Sequence, residues 1–145
     1  MRYMGGKARL AKHIVPVIEK YRRGRTVIDM FAGSMNIAAN LDGSVIANEL
    51  DSHLYLMYQE LVHNGWYPPT TLTREEYNYY KKNPQYILNT PLYAFIAWGV
   101  SFAGKRWGGF ATDNAGRDYA NQTSRNLMKK RDKLSNVVFT NMDYA

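Results

Sequence analysis

The chain has 145 residues, 46% hydrophobic and 14% aromatic, with 19 lysines and arginines against 12 acids (net charge +7) and no cysteine. That apolar fraction supports one compact domain, or one domain carrying an insert, and excludes wholesale disorder. The lack of cysteine excludes disulfides, zinc-thiolate sites and a thiol nucleophile; no apolar run approaches the roughly 20 residues of a membrane span and the first seven residues lack the apolar stretch of a secretory signal, so the expectation is a cytosolic protein with no membrane role.

Leu10, Ile14, Val17, Ile18 and Tyr21 recur at helical spacing and predict a helix over 7–23, kinked or split by Pro16. Residues 26–31 read as a short buried strand. It runs into the small-residue turn Ala32-Gly33-Ser34 and a helix over 35–41. Residues 44–48 read as a second buried strand ending at Glu49, and 51–63 as an amphipathic helix closed by Asn64-Gly65. This β-α-β-α order implies parallel strands joined by crossover helices.

The alternation stops at Trp66-Tyr67-Pro68-Pro69. Thr73 and Glu76 form a capping-box pattern opening a helix that Asn83-Pro84 ends, and a further helix spans 91–100. The glycine-rich, aromatic and basic stretch 101–110 follows, then a basic helix over 124–134 and a third strand over 136–140, with Asp143-Tyr144 just beyond its end. The reading is therefore a core of residues 1–65 and 136–145 carrying a mostly helical insert over 66–135.

The insert holds most of the excess charge, eleven basic against five acidic side chains, with all three tryptophans and seven of the twelve tyrosines. Basic groups interleaved with flat aromatics suit phosphates and unstacked bases. The same composition also fits a helical subdomain with an aromatic core and a solvated basic face.

In open parallel sheets, ligands sit outside the carboxyl ends of the strands. Gly33 supplies a turn there, Glu49 ends the second strand, and Asp143 and Tyr144 follow the third. A carboxylate at Glu49 suits the diol of a ribose, as in an adenosine-type cofactor; Asp143 suits an exocyclic amine, with Tyr144 stacked on a ring. The opening Tyr3-Met4-Gly5-Gly6-Lys7 offers close backbone approach and a lysine for a carboxylate. Met35 breaks a G-x-G-x-x-G pattern, Arg106 after Gly104-Lys105 breaks a phosphate-loop pattern, and His13, His53 and His63 lack metal-binding spacing, so no metal site is expected.

Six segments, 3–7, 29–36, 46–51, 64–69, 101–110 and 138–144, together resemble the DNA adenine-N6 methyltransferase family, in particular its phage-type members, in motif order over nearly the whole chain. The resemblance implies an α/β fold: a partial Rossmann-like methyltransferase sheet of three parallel strands with crossover helices and a helical target-recognition insert. It implies S-adenosylmethionine as cofactor, with Tyr3, Lys7, Asp29, Phe31, Gly33, Glu49, Asp143 and Tyr144 as its contacts. It also implies double-stranded DNA as partner, contacted by Lys105, Arg106, Trp107, Lys129, Lys130 and Arg131, in a bacterial or phage-infected cytoplasm where methylation guards DNA against restriction. Met30 and Met35 depart from the proline and second glycine that many relatives carry.

The family's catalytic Asp-Pro-Pro-Tyr does not occur in these 145 residues, so no catalytic residue is assigned and this chain alone is expected to be inactive. The expectation is a fragment, one half of a split enzyme, or a truncated protein that self-associates through the unpaired edge of its first strand. The alternative is a catalytically inactive relative that binds S-adenosylmethionine or DNA as a regulatory or anti-restriction component.

Overall fold

Three short runs rich in β-branched and apolar residues build the sheet, and the computed structural model describes residues 1–143 of the chain. Strands β1 (Val27–Asp29), β2 (Val45–Asn48) and β3 (Val137–Thr140) lie parallel in the order β1-β2-β3. Val27 lies opposite Val45, which lies opposite Val137; the next rung is Ile28, Ile46 and Val138. The alternation of a strand sends these two rungs to opposite faces. Val45, Ala47, Val137 and Phe139 are buried, whereas Ile28 and Val138 are 56% and 58% exposed. One face of the sheet is thus covered by the described residues and the other is open, and β1 forms an edge.

That arrangement corrects the reading of a buried first strand. β1 is also shorter than 26–31, because the Asp29 carboxylate accepts the Phe31 N–H at 3.2 Å and turns the chain out of the sheet.

Helix α1 (Ala8–Arg22) is continuous through Pro16, neither split nor ended there. Pro16 and Lys12, whose carbonyl would have bonded the missing amide, both lie on the exposed side, where water serves that acceptor. The predicted apolar stripe divides: Ile14 and Ile18 pack against the core, while Leu10, Val17 and Tyr21 are exposed. Arg22 joins α1 to the loop before β2, donating to the Asp42 and Ser44 carbonyls.

The helix expected over 35–41 is only a 3-10 turn, Ala38–Asn40. Met35, wholly buried, has φ +62°, a left-handed backbone that a regular helix cannot contain, and the few residues after it cannot recover a costly helix nucleus.

Helix α2 (Ser52–His63) is capped by Asp51, whose carboxylate accepts the His53 and Leu54 amides. Helix α3 (Arg74–Lys82) has the full capping box: Glu76 N–H to the Thr73 hydroxyl at 3.1 Å and Thr73 N–H to the Glu76 carboxylate at 2.8 Å. The helix expected over 91–100 is one α-turn, α4 (Leu92–Ala94), continued as a π-helix over Phe95–Gly99. The widened turns leave carbonyls for partners outside the segment: Ile96 accepts the Ser101 hydroxyl, Ala97 the Trp107 amide, and Gly99 the Thr123 hydroxyl at 2.6 Å. Helix α5 (Tyr119–Lys133), capped by Asp118, starts five residues earlier than predicted.

Every residue of Phe95–Gly99 is buried, and Tyr77, wholly buried, meets Trp107 and Phe110 with ring centroids 5.6 and 5.7 Å apart. The aromatics of the insert therefore form a core. That core packs on α2, which in turn carries the covered face of the sheet.

Candidate functional site

The carboxyl ends of β1 and β2 open into a cleft of about 320 Å³. Tyr3, Lys7, Asp29, Phe31, Gly33 and Glu49 all line it, so the structure brings together six of the residues singled out in the sequence. Asp143 is exposed and does not line the cleft, and Tyr144 lies outside the described residues.

Glu49 is the fixed point of the cleft. It is 8% exposed, its Oε2 accepts the Gly33 N–H at 2.7 Å, and its Oε1 accepts the Asp51 N–H at 2.9 Å. Each oxygen keeps a lone pair, so the carboxylate is held in place and can still accept from a ligand hydroxyl. Gly33 has φ +53°, and a Cβ there would lie 3.3 Å from the Tyr3 ring, so both the turn and the close approach require glycine. Across the cleft, the Tyr3 ring is tilted against Trp98 at 6.0 Å.

The electrostatics follow from burial. The Tyr3 hydroxyl is pushed above its usual pKa by desolvation first, then by the charges of Glu49 and Asp51. The Asp29 carboxyl is also raised, because burial outweighs the Phe31 amide and the positive charge of Lys7. A cation placed beside Asp29 restores its charged form.

Further residues complete the site, among them Lys130, which the sequence reading placed with the DNA contacts. Asn36 and Ile37 line the cleft, and the Asn36 amide donates to the Ser34 hydroxyl at 2.7 Å. The Ser34 carbonyl accepts twice, from the Tyr58 hydroxyl at 3.0 Å and from the Lys130 ammonium at 2.5 Å. Buried Asn48 ties the strand exits: its Oδ1 accepts the Thr140 hydroxyl at 2.6 Å and the Met142 N–H at 2.9 Å, and its Nδ2 donates to the Met142 carbonyl at 3.0 Å. Asn141 crosses back to the Glu49 and Leu50 carbonyls. A polar residue closing an apolar strand was the available signal for Asn48. For Lys130 the signal was its place between Leu127 and Leu134, at intervals of three and four, on the buried stripe of α5.

The basic residues differ in their surroundings. Lys105 and Lys129 are exposed. Arg106 bonds the Tyr93 hydroxyl at 2.7 Å, pairs with Asp51 at 3.6 Å and lies over the Tyr93 and Trp98 rings. Trp107, expected among the DNA contacts, is half-buried between Tyr77 and Tyr93, its indole N–H on the Tyr93 hydroxyl at 3.2 Å. Lys130 points inward, and the Arg131 guanidinium covers the Tyr67 ring at 5.1 Å. The N-terminal segment is docked on the same loop by Met4 N–H to the Gly104 carbonyl at 3.0 Å.

Among the described residues no cluster of three or more His, Cys, Asp or Glu side chains is arranged to hold a metal, and no helix is long and apolar enough to cross a membrane. The family model of the D12 class N6 adenine-specific DNA methyltransferases matches residues 3–144 of the chain.

Proposed function

Because the chain belongs to the D12 class of N6 adenine-specific DNA methyltransferases, we propose that it supplies the S-adenosylmethionine-binding and DNA-contacting part of adenine-N6 methylation. Residues 1–65 and 136–145 hold the cofactor, and 66–135 face DNA. The observation that carries this reading is the buried, doubly anchored Glu49 at the mouth of a cleft that five other expected cofactor residues also line.

The residues present fit the group. Glu49 is an acceptor pair for a ribose diol, Lys7 a cation for a carboxylate, and Asp29 an anion for a positive centre; Gly6, where a Cβ would sit 3.0 Å from the Tyr3 carbonyl and 3.2 Å from the Ser34 hydroxyl, keeps the wall thin. S-adenosylmethionine bound there supplies a methyl group on a sulfonium sulfur. Exposed Phe31 offers an aromatic face to the nucleoside, and Tyr3 closes the other side. By the family resemblance Asp143 belongs to the same cofactor set, as does Tyr144, which lies outside the described residues.

On the DNA side, Lys105 and Lys129 neutralise phosphates directly, and Arg106 and Arg131 do so on leaving Asp51 and Tyr67. The open rung Ile28, Ile46 and Val138 beside the free edge of β1 favours cover by a complementary segment or a second copy, since parallel sheets are ordinarily covered on both faces. A well-folded monomer over a wide concentration range in sedimentation experiments counts against that cover.

The test of the cofactor reading is calorimetric titration of S-adenosylmethionine into the chain. Saturable binding, weakened at least about tenfold by Glu49→Ala and by the exposed-residue variant Phe31→Ala, supports it. A folded chain that takes up no cofactor overturns it.

A further inference from the structure

A second cleft, of about 830 Å³, adjoins the first. Tyr3, Gly6, Ser34 and Asn36 line both, so the two hollows share one thin wall. The second is lined by three basic side chains, Arg2, Arg9 and Lys130, with the amides of Asn36 and Asn126, and among the described residues no acidic one lines it.

The three cations are held from different elements. Arg2, on the N-terminal segment, lies with its guanidinium 4.0 Å over the Tyr119 ring. Arg9 stands exposed on the first turn of α1, where a positive side chain does nothing for the helix dipole. Lys130 is fixed against the Ser34 carbonyl, and burial together with the nearby Lys133 holds its ammonium down to about 8. Positive groups lining one hollow raise its potential, which favours an anion seated there.

The lining also says which anion. Among the described residues Tyr3 is the one ring in the lining, and it packs on Trp98, so these residues offer no stacking platform for a base. Basic and amide side chains beside the small apolar surface of Ala8 and Leu10 suit phosphate and sugar. The hollow lies near the upper end of the size range of small-molecule sites, which favours a segment of a polymer.

We propose that this cleft seats a backbone phosphate of the DNA strand passing the cofactor cleft, with Arg9 and Arg2 as its principal contacts and Lys130 behind them. The inference rests on the DNA reading above, and it adds a site outside the insert.

The experiment is fluorescence anisotropy of a labelled duplex over a series of salt concentrations, with calorimetric cofactor titrations in parallel. Arg9→Ala is expected to weaken DNA binding about fivefold and to flatten the slope of log affinity against log salt by about 0.9, the contribution of one phosphate. Arg2→Ala combined with Arg9→Ala is expected to do more, with cofactor affinity unchanged for Arg9→Ala. Lys12→Ala, on an exposed residue of α1 that does not line the cleft, is expected to leave the slope as it was. Wild-type affinity and slope in the Arg9 and Arg2 variants, or an equal loss in Lys12→Ala, overturns the phosphate seat while leaving DNA binding intact. A wild-type chain that binds no duplex even at low salt overturns the DNA reading and the seat with it.

Discussion

The ammonium of Lys130 reaches from α5 to the carbonyl oxygen of Ser34 at 2.5 Å. A lysine read from sequence as a DNA contact therefore joins its helix by hydrogen bond to the turn that forms the cofactor cleft. Tyr58 donates to the same carbonyl from α2, so the turn is held from two sides.

This lysine makes stability depend on pH in a known direction. Its pKa is lowered to about 8 from 10.5, so between those values the unfolded chain binds the proton that the folded chain has released. Stability from this group accordingly rises as pH rises through that window and is at its lowest below pH 8. Comparing chemical denaturation of the wild type with Lys130→Met isolates the term: the wild type is expected to gain on the variant by about 2 kcal/mol between pH 7.5 and 10. Parallel pH profiles would show that the ammonium is not buried as described.

Glu49→Gln tests the carboxylate as an anchor apart from any ligand. The amide's oxygen can accept one of the two N–H groups, from Gly33 or Asp51, and its NH2 faces the other. A loss of about 1–3 kcal/mol is expected by thermal or denaturant unfolding, together with weakened cofactor binding. An unchanged midpoint would mean that the two amides are satisfied some other way.

The π-helix predicts a paired result. A Cβ at Gly99 would lie 2.6 Å from Cγ2 of Thr123, whose hydroxyl bonds the Gly99 carbonyl. Gly99→Ala should cost about 1–3 kcal/mol, and adding Thr123→Ser, which deletes the methyl and keeps the hydroxyl, should recover most of it. Equal stability of the single and double variants would rule out the contact as the cause.

Gly104→Ala should act on the cleft from the loop. Its φ is +68°, and a Cβ would meet the Tyr3 nitrogen at 2.5 Å, so the N-terminal segment must move away. Because Tyr3 through Lys7 line the cleft, cofactor affinity is expected to fall about tenfold or more while the far-ultraviolet spectrum stays native. Undiminished affinity would show that the segment is not held by this loop.

Elements governed by local chemistry were legible in the sequence. The Thr73 and Glu76 reciprocal cap, the Asp51-led helix and the central strand ending at Glu49 follow from residue types within a few positions of one another. Features decided by distant partners were not. Trp107 reads as a recognition aromatic until Tyr77 and Tyr93 enclose it, and Lys130 reads as surface charge until the Ser34 carbonyl meets it. The open face of the sheet escaped for a related reason: Ile28 and Val138 have the side chains of a buried strand whether or not anything lies over them.

Asn48 spans all three strand exits through one buried amide, touching Met30 after β1 and Met142 after β3 from the end of β2. The mouth of the cleft is thus geared rather than loose. A shift of the tail after β3 strips hydrogen bonds from a group that has no water to replace them, so the rim opens as a unit or stays shut. Amide exchange at Met142 and of the Asn48 side chain should therefore proceed at one shared rate, slowed together when a ligand occupies the cleft.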